Sequence, residues 1–334
     1  MQQMQLFAGL DVHQDSITAT IKDDAGNPVR VQKVETNEDG VCYLFRRMKN
    51  VKAVFEASRS WTYYAALLRP YCKELIMAHP LKVRAIASAR IKNDKIDSDV
   101  LCDLLRADLI PRSYMPPQQI IELRETLRYR VSLGRLRAKV KNKVHNILAR
   151  EGKKCEFKSP FGSRARLWIN HLELKQNNRR ELEYNLSLID NLSNEIAKLD
   201  KEIGSLKLAY PEVDLLTSIP GISTYSGLLI LAEIGDISRF PTPQKLAAYS
   251  GLISSTYQSG ENCYQGRITK QGSRWLRWIL VECSHTSIKK KHRLQRFYLR
   301  IKHKRGTQKA MVATARKMLT IIWHLLNKNQ YYVP

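Results

Sequence analysis

The chain has 334 residues, with 56 Lys or Arg against 31 Asp or Glu, a formal net charge of +25 and a pI of about 9.9. Its length and 43% hydrophobic content suit a soluble protein of two or three domains, and its apolar runs are too short or interrupted to cross a bilayer. Six widely spaced cysteines with no C-x-x-C pair argue against structural zinc and a disulfide framework, and for a reducing cytoplasm.

The charge is uneven. Residues 1–110 carry sixteen basic and fourteen acidic side chains, a net of +2, which leaves +23 for the remainder. From Cys283 to Pro334 there are thirteen Lys or Arg and no Asp or Glu. A polyanionic partner is the simplest account, because basic side chains that neutralise phosphates release counterions.

In chain order, the apolar run from Leu6 to Leu10 reads as a strand that ends at Asp11. The alternation Ile17, Ala19, Ile21, the turn residues at 23–28, and Val29 with Val31 read as a β-hairpin. A helix is expected over 37–49, a strand over 51–55 ending at Glu56, a helix over 61–68 and a strand over 74–78. The stretch from Ile91 to Asp99 then opens a helix in which Asp94 and Asp97, three apart, share a face. Strand–hairpin–helix–strand with acidic strand ends is the pattern of a ribonuclease-H-like α/β fold.

Carboxylates at strand ends facing carboxylates on a helix can hold Mg²⁺, which takes oxygen ligands, and two such ions would clamp a phosphodiester. The competing explanation is plain helix chemistry: helix N-termini attract aspartates through their free N–H groups and macrodipole. Asp11 and Glu56 at strand ends tip the balance toward a metal site.

Pro111, Pro116 and Pro117 mark one boundary and Tyr210-Pro211 another, dividing the chain into 1–115, 116–208 and 209–334. From Gln118 to Arg150 an apolar helical period carries nine cations, Arg124, Arg128, Arg130, Arg135, Arg137, Lys139, Lys141, Lys143 and Arg150. One sign dominates, so a nucleic-acid-facing helix is expected there. After a connector at 152–162, heptad positions Leu182, Ile189, Leu192, Ile196, Leu199, Ile203 and Leu206 fit either a coiled coil or a bundle helix. The turn from Ser218 to Ser223, with Gly221 inside it, resembles turns whose amides approach phosphates. Ser259 reads as a serine in a glycine-flanked loop with no neighbouring His–Asp pair, and Tyr257 is an equally available nucleophile by spacing. Arg267 and Lys270 can steady a phosphate there. The tail from His285 is basic and helical, with interleaved aromatics suited to backbone contacts and stacking on exposed bases.

Taken together, these stretches resemble the insertion-sequence-110 (IS-110) family of DEDD recombinases, which includes the Piv/MooV DNA invertases. The N-terminal likeness lies in Gly9-Leu10-Asp11, Phe55-Glu56-Ala57 and Lys92-Asn93-Asp94-Lys95-Ile96-Asp97. The C-terminal likeness lies in Ile219-Pro220-Gly221-Ile222, Ala247-x-x-Ser250-Gly251-Leu252, Ser259-Gly260, Gly266-x-Ile268-x-Lys270-x-Gly272 and Leu276-Arg277. The resemblance implies a RuvC-like N-terminal domain binding Mg²⁺, with Mn²⁺ as the substitute, through Asp11, Glu56, Asp94 and Asp97. It implies a helical, coiled-coil middle and a mostly helical C-terminal transposase domain whose catalytic serine is Ser259.

Such enzymes cut and rejoin donor and target double-stranded DNA through a phosphoserine. They work as dimers or tetramers, the acidic site of one subunit completed by the serine of another. Many are guided by a non-coding bridge RNA. A cytoplasmic, nucleoid-associated bacterial protein is expected. Three departures from the family pattern, Ala57-Ser58-Arg59 after Glu56, Ser98-Asp99 after Asp97, and Trp278 after Arg277, remove no catalytic group and read as tuning. The rival readings are a Piv-type site-specific invertase, a RuvC-like nuclease that needs no serine, and a basic binding protein whose carboxylates only cap helices.

Overall fold

The computed structural model describes residues 4–87, 93–259 and 262–333, with Ser259 and Cys263 described through their backbones. Ile91, Lys92 and Gly260, which belong to motifs read above, lie outside the described residues. The chain divides into two compact units, Met1–Met115 and Pro116–Pro334.

In the first unit β1 (Leu6–Val12), β2 (Ser16–Lys22) and β3 (Pro28–Glu35) form an antiparallel meander. α1 (Glu38–Leu44) leads to β4 (Val51–Glu56), and α2 (Trp61–Leu68) leads to β5 (Glu74–Ala78). α3 (Pro80–Ile86) and α4 (Asp94–Arg106) follow. Strand order is β3-β2-β1-β4-β5, with β4 parallel to both β1 and β5. This is the mixed α/β architecture expected of a ribonuclease-H-like domain.

The twofold alternation of strand side chains decides which residues meet which helices. Leu6, Ala8 and Leu10 of β1 and Val51, Ala53 and Phe55 of β4 enter one core with α1 and α2. The other set, with Phe7 and Val54, packs with Leu101, Leu104 and Leu105 of α4. Asp11 and Glu56 continue that second set. Each stands one residue past the last paired positions, Leu10 and Phe55, on adjacent parallel strands.

The second unit is mostly helical. α5 (Gln118–Arg150) and α7 (Gln176–Leu206) flank the short α6 (Ser163–Asn170). α5 and α7 run antiparallel within the chain, as shown by Arg130 on Asp200 and Arg150 on Glu181. The heptad residues Leu182, Ile189 and Leu192 are covered by Val140, Val144, Ile147 and Leu148 of α5.

α8 (Glu212–Thr217), α9 (Thr224–Ile234) and α10 (Pro243–Tyr249) precede a two-stranded ribbon, β6 (Ser254–Ser259) with β7 (Asn262–Ile268). α11 (Arg274–Ser287), α12 (Arg293–Arg305) and α13 (Thr307–Lys328) complete the unit. Leu127 of α5, Leu228 of α9, Leu276 of α11 and Met318 of α13 share one core. No helix among the described residues is long and apolar enough to cross a membrane.

The α8–α9 turn packs closely against α11. Gly221 has φ of +101°, and a Cβ there would stand 2.7 Å from both the Cys283 carbonyl oxygen and the Ser287 nitrogen of α11. The glycine serves helix packing inside the unit.

Candidate active site

One glycine and a set of side-chain bonds bring α4 to the end of β1. Gly9 lets the helix approach so closely that a Cβ would fall 2.0 Å from the Ser98 carbonyl oxygen and 2.4 Å from the Cys102 nitrogen. The Cys102 thiol donates to the Phe7 carbonyl at 3.1 Å. Ser98, fully buried, bonds the Thr20 hydroxyl at 2.9 Å, and Lys22 reaches Asp99 at 2.8 Å and Asp103 at 2.9 Å. Burial alone would lower the Lys22 ammonium pKa; its bonds to Asp103 and Asp99 outweigh that and raise it. Ser98 and Asp99, read from sequence as tuning, thus fasten α4 to the sheet.

The helix start then presents its acids. The N-cap is Asn93, whose side chain accepts from the Ile96 amide at 2.8 Å. Asn93 thus takes the capping role, while Asp94 and Asp97 lie in the first turn, where the macrodipole also favours them. Asp94 meets Asp11 and His13: ligand atoms of these three lie within 4.8 Å of one another. His13 Nε2 is 3.1 Å from Asp11 Oδ2 and 3.8 Å from Asp94 Oδ1. Lys33 of β3 donates to Asp94 Oδ2 at 3.1 Å.

Desolvation raises the Asp11 pKa, with Asp94 and Asp97 adding to the rise and His13 opposing it. The Lys33 hydrogen bond holds Asp94 below the ordinary carboxylate range. Concentrated negative charge that burial already disfavours is the electrostatic condition a divalent cation relieves. The donor set fits one: carboxylate oxygens suit Mg²⁺ or Mn²⁺, and an imidazole suits transition metals better than Mg²⁺.

Of the sequence-predicted residues, Asp11 and Asp94 are brought together. Asp97 acts on Asp11 through its charge but stands outside the close group. Glu56 is half-buried at the end of β4, on the α4 face of the sheet. Sequence reasoning passed over His13, although the spacing Asp11-x-His13 continues the strand's alternation and was the signal available.

Ser259 belongs to the other unit and is the last residue of β6, paired with Asn262. The sequence suggested a loop; the chain forms a ribbon instead. Tyr257 and Tyr264 stack across it with ring centroids 5.0 Å apart. At its base Thr269 donates to the Ile253 carbonyl, Lys270 to Gly251 and Ser273 to Tyr249. Arg277 donates to the Ser250 carbonyl at 2.8 Å. The C-terminal sequence motif is therefore the root of the ribbon that ends at Ser259.

The basic face expected on α5 is largely used inside the unit. Arg124 donates to the Ala232 and Glu233 carbonyls, and Arg128 makes a two-pronged bond to the buried Glu233 carboxylate at 2.7 and 3.0 Å. Arg130 grips Asp200 and Arg150 grips Glu181, while Arg137 donates to Ser193. Arg135 lies over Trp275 and Trp278, and Lys141 over Phe161. Packing against α7, α9, α11 and the connector before α6 gives these cations partners that the sequence of α5 alone does not show. Lys139 and Lys143 remain exposed.

Comparison with known proteins gives two matches to family models. Residues 8–151 match the model of IS110 DEDD transposases, described as Transposase, and residues 213–299 match Transposase IS116/IS110/IS902 family. Protein y4qE of Sinorhizobium fredii is 23% identical over 288 residues, covering 84% of this chain and 72% of that one. The transposase for insertion sequence element IS1111A of Coxiella burnetii is 29% identical over 141 residues, 41% of this chain and 39% of its own length. The Pseudomonas aeruginosa protein named "Probable family 20 transposase" is 24% identical over 310 residues, 87% of this chain and 88% of that one.

Proposed function

We propose, since this chain belongs to the IS116/IS110/IS902 family of transposases, that it inserts and excises a mobile element by divalent-metal-dependent cutting and rejoining of donor and target DNA. The observation that carries the proposal is the convergence of Asp11, His13 and Asp94 at the ends of β1 and α4, with Asp97 and Glu56 on the same face of the fold. Asp11, Glu56, Asp94 and Asp97 are assigned to hold Mg²⁺, or Mn²⁺ in its place. When bound, such an ion would supply charge neutralisation at the phosphoryl oxygens and favour loss of the proton from the attacking hydroxyl.

Ser259 is assigned as the nucleophile. Its hydroxyl oxygen forms a bond to phosphorus as the bond to a sugar oxygen breaks; the serine proton is lost and the freed sugar hydroxyl gains one. Attack by a sugar hydroxyl of another strand reverses the step and restores the serine. Support for Ser259 over Tyr257 comes from the Ser259-Gly260 motif shared with the family, on a ribbon rooted by the other C-terminal motif residues. The net charge of +25 supports a polyanionic partner; we assign a non-coding bridge RNA as guide, which needs backbone recognition and no base code from the protein. We assign the working form as a homo-oligomer, a dimer that becomes a tetramer with DNA bound.

The experiment combines protein, the RNA flanking its gene, labelled donor and target DNA, and Mg²⁺, resolved on a denaturing gel. A covalent protein–DNA adduct that needs Mg²⁺ and vanishes in Ser259→Ala is expected. Cleaved DNA without an adduct in either protein would replace the serine recombinase with a hydrolytic nuclease. Asp11→Ala is expected to abolish strand exchange and keep nucleic-acid binding.

A further inference from the structure

Four of the thirteen cations in the acid-free C-terminal stretch line one cavity. α12, α13 and the terminal segment enclose about 580 Å³, within the range of small-ligand pockets, roughly 300–1,000 Å³. From α12 it is lined by Arg293, Arg296, Phe297 and Arg300, whose spacings of three and four place them on one helical face. Lys317 of α13 and Tyr332 of the terminal segment face them.

An ordinary solvated face would intersperse carboxylates with these cations. α12 contains none, and among the described residues no carboxylate pairs with Arg293, Arg296, Arg300 or Lys317. Like charges at these spacings destabilise a helix, so the row is a standing cost that an anion removes. The contrast with α5, whose arginines are mostly bonded within the unit, is direct.

Two further features specify more than an anion. Phe297 is half-buried in the cavity wall, with the Arg300 guanidinium 5.4 Å from its ring centroid. Such a pair offers an aromatic face and a cation together, the platform on which unpaired bases stack. The Tyr332 hydroxyl is buried with no hydrogen-bond partner among the described residues. Its backbone amide donates to Ser218 Oγ at 2.9 Å, which fixes the segment in place. Burial raises the Tyr332 phenol pKa while the charges of Arg293 and Arg296 oppose it, as expected for a hydroxyl close to both cations.

We propose that this cavity receives an unpaired nucleotide of a nucleic-acid strand, its phosphate against Arg293, Arg296 and Arg300 and its base on Phe297. A paired base has its faces covered by stacking in the duplex, whereas a splayed nucleotide presents both the phosphate and the free π-face that the cavity matches. Occupancy needs neither the acidic cluster nor Ser259.

The test is photocrosslinking of the full-length protein to two hexanucleotides, an RNA carrying 5-iodouridine and a DNA carrying 5-iododeoxyuridine, with peptide mapping by mass spectrometry. Adducts are expected on peptides containing Phe297 or Tyr332 with at least one of the two strands, and the stronger strand identifies the source. Phe297→Ala should reduce the yield at least about fivefold, the lower end of what loss of one base stack costs. Should Phe297→Ala fail to fold, the exposed Arg296→Gln variant is read in the same way. Asp11→Asn should crosslink as wild type, which separates this site from the strand-transfer chemistry. Adducts confined to other peptides with both strands, or pocket adducts undiminished in a folded variant, would overturn the proposal.

Discussion

A Cβ on Gly9 would stand 2.0 Å from the carbonyl oxygen of Ser98, so strand and helix backbones meet there with no side chain between them. The distance from sheet to helix sets where Asp94 arrives relative to Asp11. Gly9→Ala must push α4 outward. An overpacking cost of about 1–3 kcal/mol is expected, read as a lowered midpoint in denaturant, together with weakened Mn²⁺ binding by paramagnetic resonance. Unchanged stability and metal binding would mean that α4 tolerates the shift.

His13 touches Asp11, and its imidazole matches Mn²⁺ better than Mg²⁺. His13→Ala is expected to weaken Mn²⁺ binding by roughly 10–100-fold, the usual span for residues supporting a metal ligand, with a smaller effect on Mg²⁺. Titration of both ions into both proteins measures this. Equal losses would assign His13 to orienting Asp11 alone.

Glu233 is 1% exposed and holds α5 through Arg128 and α11 through the Ser273 hydroxyl at 2.8 Å. Removing one partner of a buried pair costs about 3–5 kcal/mol, discounted here because Arg128 is 37% exposed and regains water. Glu233→Ala should therefore lose about 3 kcal/mol or less in denaturant unfolding, and Glu233→Gln less again.

Burial pushes the Cys72 thiol up to about 12 and those of Cys102 and Cys283 to about 11. A raised thiol pKa means less thiolate at a given pH, here about a thousandth or less at pH 8, rising tenfold per pH unit toward 11. Alkylation of the folded protein at pH 8 should modify the exposed Cys42 and spare these three. Mass spectrometry after a timed pulse reads the pattern; rapid modification of Cys102 would show that α4 lifts from β1.

Much of the first unit was legible because punctuation and period agree. The strand to Glu56, the helix over 61–68 and the strand over 74–78 lie where apolar spacing and turn residues place them. The first helix was expected to reach residue 49 but stops at Leu44. Arg47 and Asn50 adopt φ of +63° and +57°, a left-handed stop made without glycine or proline. The β6–β7 ribbon escaped because its strands are polar and exposed on much of both faces, leaving no alternation to read. The partners of the α5 arginines escaped for another reason: Arg128 and Glu233 are 105 positions apart, and periodicity within one helix carries no information about its neighbours. At the acidic site Asp11 and Asp94, singled out by chemistry, lie together, and His13 was passed over because it follows the strand rather than ending it.

Among the described residues the ribbon that carries Ser259 has two strands, and a pair of strands depends for its order on what packs against it. In the proposed chemistry, the nucleophile is thus carried on an element that a bound substrate would steady further. A stray phosphodiester offers too few contacts to supply that order, whereas a fully assembled substrate supplies it in the act of binding. Under that chemistry the ribbon would work as a fidelity check, presenting the attacking hydroxyl best when the correct partners are in place.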